Sequence, residues 1–543
     1  MNTRNLLGEV GVALLLSGCT VGPNYEPPRA PDVQAWRAAP AQGELAITRS
    51  NPDPKWWLAF DDPILAELID RGIAGNLDIQ QAVLRVVEAR QGIVAARAAG
   101  LPTLGGTASY QREQLGVKGI LESQGVYKDL NELADRLQPY NAAVPGLSTS
   151  GVSGARQALN RFTSPVNVYQ YGLDSSWELD LFGRVRRSVE QARARAQGQS
   201  EALNDGLIVL ESEIVQSYVQ LRGAQALKAS QEENVRAATV SLELAERRQR
   251  SGLTTELDVD QARTQLDDTR RQLPSFEKQI QQAMNALSVL TGQNPGALDA
   301  ELRGVRPLPR IPAAVGIGVP STLARRRPDI REAEANLHAA TAGVGVAVAS
   351  FYPDISLTGS IGIRALDASY LTNWASHFYS AGPSISLPIF SGGRLASNLT
   401  LARAQAQEAA LNYRGTVLNA LREVEDTLIA YRTDRDSRDQ LEDTLRAAET
   451  TWSLAQSQYA NGLTSFIQVL DSERTVLSDR QALVQADMQI ANDIVALYRA
   501  LGGGWEQSAG EVQAPEVSSA PPVTPAALDR IGAAVSNNQT VDP

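Results

Sequence analysis

Few residues of this 543-residue chain have the types and spacing that catalysis or metal binding requires. Its two histidines are His338, inside a helical pattern, and His377, near a predicted strand turn. Neither has a cysteine or carboxylate at ligand spacing, so we expect structural or surface roles for both. Gly502 to Gly504 end a helical pattern and lack the strand-loop-helix context of a phosphate-binding loop. No nucleophile elbow is present, and we predict no enzyme activity, no metal site and no dissociable cofactor.

Cys19 is the single cysteine, so the chain can form neither an internal disulfide nor a thiolate cluster. It follows a short basic start, an apolar run too short to cross a bilayer, and small residues. This arrangement resembles a bacterial lipobox, in which residues 1–18 are a cleaved signal peptide and Cys19 receives acyl chains such as palmitate. Thr20 is not the aspartate associated with inner-membrane retention, so the resemblance implies the outer membrane. The alternative is an ordinary secretory signal with an incidental cysteine.

Composition and charge narrow the class of protein. Aromatic residues make up only 5% of the chain, which is rich in Ala, Gln, Arg, Glu and Leu, and this favours long helices over a compact globule. The formal net charge is -11 and the pI is near 5.0. Because binding to phosphates needs a basic surface, we expect no nucleic-acid partner.

An internal repeat organises the chain. Residues 169–197 align without gaps to residues 379–407 at an offset of 210, and the same offset pairs Gly252 with Gly462 and Gly292 with Gly502. Upstream of these blocks the offset is 251, so the first half carries 41 additional residues. They fall within residues 111–165, a stretch rich in Gly, Ser, Asn and Pro that we interpret as an enlarged loop.

Four segments have apolar residues at helical spacing. The first has roughly 68 residues and would span on the order of 100 Å at about 1.5 Å per residue, far more than a helix of a globular domain. Pro274 should kink or interrupt the second. No run of 18 apolar residues exists, so none of them crosses lipid as a helix. The four segments are residues 183–250, 257–290, 393–460 and 467–501.

Four other segments alternate apolar and polar residues with period two. Each is about 10 residues long, the length that a tilted transmembrane β-strand needs. Pro102 and Pro353 mark where the preceding helices must stop. The strands are predicted at residues 103–112, 169–177, 355–363 and 384–389.

These strands have two interpretations. They are either two half-buried hairpins of a soluble sheet or two hairpins in a membrane. Lipid does not tolerate an open sheet edge, so in a membrane other chains must complete the sheet. A dimer would give eight strands with an interior filled by side chains, whereas a trimer would give twelve and leave a lumen. Conduction therefore favours three chains.

Several ordered motifs between residues 19 and 505 resemble the TolC-like outer-membrane factor family, in its OprM-type lipoprotein branch. The resemblance implies a mainly α fold with a small transmembrane β part: a trimer with an α-barrel tunnel and a twelve-stranded β-barrel, four strands per chain. The motifs are Cys19-Thr-Val-Gly-Pro-Asn-Tyr25, Trp57 with Phe60-Asp-Asp-Pro63, Trp177-Glu-Leu-Asp-Leu-Phe-Gly-Arg184, Arg326-Arg-Pro-Asp-Ile330 and Leu501-Gly-Gly-Gly-Trp505.

The predicted organisation follows from the repeat and the resemblance. After the signal peptide, residues 19–100 form the lipidated N-terminal segment and the first tunnel helices. Residues 101–180 form the first hairpin with a long extracellular loop, 181–350 periplasmic tunnel helices, and 351–391 the second hairpin. Residues 392–503 form the tunnel helices of the second repeat. Residues 504–543, rich in Pro, Ser and Ala, are expected to be a disordered periplasmic tail.

The turns between the long helices should form periplasmic tips that contact an adaptor. Glycine suits a helix C-cap, and each turn is followed by a capping-box spacing, Thr255 with Asp258 and Ser465 with Gln468. We assign Asp258 and Gln468 to capping first. The tip residues are Gly252, Leu253, Thr254, Gly462, Leu463 and Thr464.

The resemblance implies a gate just beyond these turns. By the family's motif Ile467 matches an apolar gate position and Asp471 an acidic one, and Leu257 and Gln261 are their repeat counterparts. Three symmetry-related carboxylates would form a negative ring, a selectivity element of cation pores. Alternatively, Asp471 is only an acidic residue near a helix N-terminus and Ile467 is only a core residue.

The function implied by the resemblance is that of a passive outer-membrane conduit in a tripartite efflux pump, exporting drugs or similar small molecules. Its partners would be two further copies of the chain, outer-membrane lipid, a periplasmic adaptor and an inner-membrane transporter of the RND type. The alternatives are the outer-membrane component of a type I protein secretion or metal-ion export system, and a periplasmic coiled-coil scaffold. The scaffold would leave the period-two segments unexplained.

Overall fold

A computed structural model describes residues 20–28, 33, 35–37, 47–48, 53–114, 116–142, 147–312 and 315–505. The predicted signal peptide, the predicted lipidation site Cys19 and residues 506–543 of the predicted tail lie outside the described residues.

Helices dominate the described part of the chain. They are α1 (Pro63–Gly75), α2 (Leu77–Ala98), α3 (Val117–Ser123), α4 (Val126–Leu137), α5 (Leu147–Thr163), α6 (Arg184–Arg250), α7 (Glu256–Arg271), α8 (Leu273–Leu290), α9 (Asp299–Leu302), α10 (Pro320–Arg326), α11 (Pro328–Ala349), α12 (Arg394–Ala460) and α13 (Phe466–Ala500). The strands are β1 (Ile47–Thr48), β2 (Thr103–Glu113), β3 (Val166–Leu179), β4 (Val315–Gly316), β5 (Asp354–Ala365) and β6 (His377–Ser386).

The long helices confirm the prediction from the repeat. Helices α6 and α12 each contain 67 residues and begin at arginines that the repeat pairs, Arg184 and Arg394. The predicted interruption at Pro274 is also confirmed, because α7 ends at Arg271 and α8 begins at Leu273 with the proline in its first turn. In the described part of the chain, no helix combines the length and the apolar content that crossing a membrane requires.

The chain divides into two compact units. The first contains the described residues 20–25 together with Ile93–Gln191 and Ala340–Gln405. Its strands form one antiparallel sheet in the order β2-β3-β5-β6. Leu173 pairs with Ile361, which in turn pairs with Tyr379, so the alternating apolar residues of the strands share one face. The other face carries mainly glycine, serine and threonine.

The fourth strand differs from the prediction. It begins at His377 and ends at Ser386, so Leu387 and Ile389 lie beyond it. The register explains this end, because Ser386 pairs with Asp354 and the next position of β5 would be Pro353, which has no N–H to donate.

Residues 111–165 do contain an enlarged connection between β2 and β3, but it is not the irregular loop that we predict, because it contains helices α3, α4 and α5. Glycine and serine residues in the sequence around α4 concealed its helical spacing, in which Tyr127, Leu130, Ala134 and Leu137 are half-buried along one side. Packing of α4 against α5 outweighs the weak helix propensity of the glycine and serine residues in this stretch.

The second unit contains the main hydrophobic core. Trp56 is buried and stacks on Tyr498 with ring centroids 5.0 Å apart. Asp62 caps α1 by accepting from the Ile64 N–H at 3.0 Å, and its other carboxylate oxygen accepts from the Tyr218 hydroxyl at 2.6 Å. The aromatic and acidic motif around residue 60 therefore joins α1 to α6.

A second motif of this unit, Arg326-Arg-Pro-Asp-Ile330, contains Arg327, which connects three helices. Its guanidinium bonds to Asp329 at 2.6 Å, to Glu423 at 2.8 Å and to the Ala500 carbonyl at 2.9 Å. These bonds connect the start of α11 with α12 and with the end of α13. Gly502 has a positive φ and lies against Arg327, where a Cβ would come within 3.0 Å of the Arg327 Cα. A glycine is therefore required at the end of α13.

Candidate functional site: the helix tips

Two glycine turns connect the long helices. Gly252 and Gly462 have φ of +72° and +75°. The next residue in each turn closes a Schellman motif, with Leu253 N–H donating to the Arg248 carbonyl and Leu463 N–H to the Gln458 carbonyl, both at 2.9 Å. The prediction of glycine C-caps at these positions is confirmed.

The predicted capping boxes are wrong. Thr255 and Ser465 do precede α7 and α13 in extended conformations, but neither side chain makes a capping hydrogen bond. The Asp258 carboxylate instead accepts from the Thr254 hydroxyl and from the Tyr459 hydroxyl, the latter at 3.3 Å. Asp258 therefore serves a contact between the two turns, which spacing along one helix cannot reveal.

Arg248 and Tyr459 join the two turns. The Arg248 guanidinium donates to the backbone carbonyls of Tyr459 and Ala460 at 2.7 and 2.9 Å. It also lies 4.7 Å from the Tyr459 ring centroid, within the range of a cation–π contact. Burial raises the pKa of the Tyr459 hydroxyl, so it remains a hydrogen-bond donor at neutral pH. Sequence reasoning missed both residues, although each directly precedes a glycine turn.

A small hydrophobic cluster holds the start of α13 against its neighbours. Phe466 packs against Tyr459 with ring centroids 5.2 Å apart. Six further residues share this cluster with Tyr459 and Phe466, and none of the eight is a predicted gate residue. The cluster consists of Ala245, Val259, Ala262, Ala455, Tyr459, Phe466, Val469 and Leu470.

The predicted gate residues lie away from this cluster. Ile467 and Leu257 are 63% and 62% exposed in the single chain, so Ile467 is not a core residue of its own subunit. Asp471 is exposed one turn after Ile467, and Gln261 is half-buried one turn after Leu257. Residues i and i+4 share a helix face, so each helix presents an apolar and then a polar residue on one side.

Glu473 is a further residue that sequence reasoning missed. It is fully buried two residues beyond the predicted acidic gate position and accepts from the Ser241 hydroxyl of α6 at 3.1 Å. Burial raises the pKa of its carboxyl. The next residue, Arg474, adds a contact to another helix by donating to the Gln265 side-chain oxygen of α7 at 2.8 Å. The helices behind the tips are thus joined by polar contacts, which hydrophobic periodicity does not indicate.

A pair of carboxyl groups lies on α12 and α13, further from the glycine turns than Glu473. Asp493 of α13 lies beside Asp434 of α12, and Gln489 donates to the Asp493 side chain at 2.9 Å. Burial, and then the nearby Asp434 charge, raise the pKa of Asp493 to about 7.

The histidines take no part in these contacts. His377 stacks on Trp374 at 4.9 Å, and its Nδ1 lies 2.7 Å from the Trp374 carbonyl oxygen, which is the structural role predicted for it. Among the described residues, no group of three or more His, Cys, Asp or Glu side chains is placed to hold a metal ion.

Long helices of equal length in two repeats, glycine turns between them and a four-stranded sheet with one apolar face are the parts of a channel-forming outer-membrane protein. The family model for the outer membrane efflux protein matches residues 68–293 and 319–503. The chain belongs to this family, which consists of channels rather than enzymes.

Curated relatives and solved structures agree with this assignment. The solvent efflux pump outer membrane protein SrpC of Pseudomonas putida is 34% identical over 505 residues, covering 91% of this chain and 97% of the relative. OprJ of Pseudomonas aeruginosa is 32% identical over 498 residues, covering 91% and 95%. The structure of the outer-membrane channel OprN matches with a TM-score of 0.76 and 34% identity, covering 90% of this chain and all of OprN. The chain is an efflux channel of the outer membrane.

Proposed function

We propose that three copies of this chain form the passive duct of a tripartite efflux pump. The observation that supports this most directly is the four-stranded sheet, in which β2 and β6 are the two outer strands. In lipid each outer strand needs a partner for its backbone groups, and β6 of one copy pairing with β2 of the next supplies one. Three copies give twelve strands, enough to surround an open lumen.

The proposed gate lies at the helix tips. Around a three-fold axis, Ile467 and Leu257 form an apolar constriction, and Asp471 and Gln261 form a polar one directly beyond it. The exposure of Ile467 and Leu257 supports this placement, because apolar side chains outside the subunit's own core are available to face symmetry-related copies. The Arg248–Tyr459 contact keeps the two turns of each subunit together and so favours the closed arrangement.

The proposed partners at the tips are a periplasmic adaptor and, through it, an inner-membrane transporter of the RND type. Leu253 and Leu463 are 64% and 77% exposed at the two turns and present apolar surface to a partner. The adaptor-contact residues are proposed to be Gly252, Leu253, Thr254, Gly462, Leu463 and Thr464.

Dye efflux in cells tests the adaptor contact. In a strain that lacks the chromosomal copy, the wild-type gene should restore ethidium export. Leu463→Glu should fail to do so although it reaches the outer membrane in normal amounts. Leu454→Glu is the matched control, since Leu454 is an exposed leucine of the same helix before the turn. Full export by Leu463→Glu, or equal loss in both variants, would refute the contact.

Lipidation of Cys19 remains part of the proposal. Its support is the lipobox-like sequence together with the outer-membrane family. The intact mass of the purified protein should show the acyl chains, and Cys19→Ser should lack them. An unaltered mass in Cys19→Ser would refute the modification.

The proposed cargo is a small molecule. Relatives include outer membrane proteins of solvent and toluene efflux pumps of Pseudomonas putida and a cation efflux system protein, CusC, of Escherichia coli. Relatives that match this chain over a similar length are thus named for the efflux of chemically different cargoes. Metal-ion export is accordingly the second candidate, and specificity is proposed to be determined by the inner-membrane partner.

A further inference from the structure

The residues that directly follow Cys19 lie in a built site on the first unit. Arg187, in the first turn of α6, is only 3% exposed. It donates through Nε to the Val21 carbonyl at 3.3 Å, and through Nη2 to the Gly22 carbonyl at 3.4 Å and the Asn24 side-chain oxygen at 2.7 Å. Its remaining nitrogen, Nη1, donates to Glu190 at 2.8 Å. A buried guanidinium needs acceptors for its donors, and residues 20–24 supply most of them.

Two glycine contacts shape the same site. Gly22 has a φ of +89°, and a Cβ there would lie 2.6 Å from the Gly345 Cα of α11. A Cβ on Gly345 would in turn lie 2.8 Å from the Arg187 side chain. The two backbones therefore approach as closely as only glycine permits, and Arg187 fills the space beside them.

The segment also meets the end of strand β3. Val21 N–H donates to the Phe182 carbonyl at 3.2 Å, three residues after β3 ends at Leu179. Thr20 lies against Gly183, where a Cβ would come within 3.0 Å of the Thr20 Cα. Gly183 has a φ of +83°, which again suits glycine. Thr20, the residue bonded to Cys19, is thereby held between the end of strand β3 and the start of α6.

We propose that residues 20–24 are a docked strap, with Arg187 as its positioning residue, and that the strap places the acylated Cys19 beside the end of β3. Acyl chains attached there enter the membrane leaflet next to the strand wall, so the lipid stays beside the sheet of its own subunit. This inference rests on the lipidation proposed above. It explains what Gly22 and Asn24 contribute, which the channel function alone does not require.

Spin-label distances between subunits test the strap. Pro23→Cys adds one thiol in an exposed part of the strap, and Cys19 is the only native cysteine and is blocked when acylated. In lipid nanodiscs, labels at residue 23 should give a narrow distance distribution. Gly22→Ala should broaden it at least twofold without affecting the helices, and Arg187→Gln should do the same. Arg187→Lys should restore the narrow distribution only partly, because lysine lacks the planar fork.

Arg184→Gln is the matched control, because Arg184 lies in the same turn of α6 and its side chain pairs with Glu178 and Asp354. Narrow distributions in both Gly22→Ala and Arg187→Gln, or a broad one in the parent, would overturn the strap. Absence of the acyl mass would overturn the role in lipid placement. The absence of any dipolar coupling, with a single-chain mass, would instead refute the trimer.

Discussion

The Arg248 guanidinium donates to the Tyr459 carbonyl at 2.7 Å while lying over the ring of the same tyrosine. One residue precedes the first glycine turn and the other precedes the second, so this contact joins the tips of two repeats that are 210 residues apart in sequence. The Tyr459 hydroxyl adds a bond to Asp258, so a single tyrosine carries backbone, ring and hydroxyl contacts across the tips.

Tyr459→Phe should therefore favour opening. It removes one hydrogen bond, worth about 1 kcal/mol, which corresponds to a change of roughly fivefold in an equilibrium between closed and open tips. Open probability in planar bilayers should rise by about that factor. Tyr431→Phe is the control, since Tyr431 is buried in the main core of the same unit. No change in Tyr459→Phe, or the same change in Tyr431→Phe, would remove the tyrosine from the gate.

Asp471→Ala should raise single-channel conductance and reduce cation preference. Removing three like charges relieves their repulsion and abolishes the negative ring, and the effect should shrink at high salt because exposed charges are screened. Asp436→Ala, at an exposed aspartate of α12, should leave both quantities unchanged. Unaltered conductance and selectivity in Asp471→Ala would show that Asp471 is not part of the constriction.

The Asp434–Asp493 pair should make stability fall as pH rises. The folded chain holds a proton on Asp493 up to a pKa of about 7, whereas an unfolded aspartate releases it near 4. The folded state therefore binds more protons between these values, and stability declines across this window and levels off above it. Thermal unfolding in detergent at a fixed scan rate should show a lower midpoint at pH 8 than at pH 5.

Asp493→Asn should flatten this dependence, since the amide does not titrate. The matched control is Asp487→Asn, on the same helix α13, where the carboxylate pairs with Arg438 at 2.9 Å. A slope that survives unchanged in Asp493→Asn would assign the proton to another group.

Asp62→Ala should destabilise the second unit by about 1–2 kcal/mol, because it removes both a helix cap and the acceptor of the Tyr218 hydroxyl. Asp62→Asn retains a capping oxygen and should lose less. Chemical unfolding followed by tryptophan fluorescence would report this directly, as Trp56 and Trp57 lie in the adjacent core. Equal stability of all three proteins would show that neither bond contributes.

Much of the fold follows from patterns in the chain itself. The lengths of α6 and α12, the break at Pro274 and three of the four strand positions follow from periodicity, proline placement and the repeat. The predicted bounds of the fourth strand lie too late in the chain. The alternation continues through Pro388, and it does not show that the partner of Leu387 would be Pro353, which has no N–H to donate.

The candidate site was less accessible to sequence reasoning. Glycine turns are local, so Gly252 and Gly462 could be predicted. Asp258 could not be placed correctly, because its partner Tyr459 lies 201 residues away and a capping spacing was the nearer explanation. Buried polar contacts such as Ser241 with Glu473 leave no periodic signal. The helices of the 41-residue insertion were hidden by a composition typical of loops.

Three identical subunits that close the sheet into one cylinder form an assembly of defined mass. Native mass spectrometry of the protein released from detergent micelles measures this directly. We expect one dominant species with three times the mass of the mature, acylated chain. A population of single chains that retains the strand content of the membrane-extracted protein would contradict it.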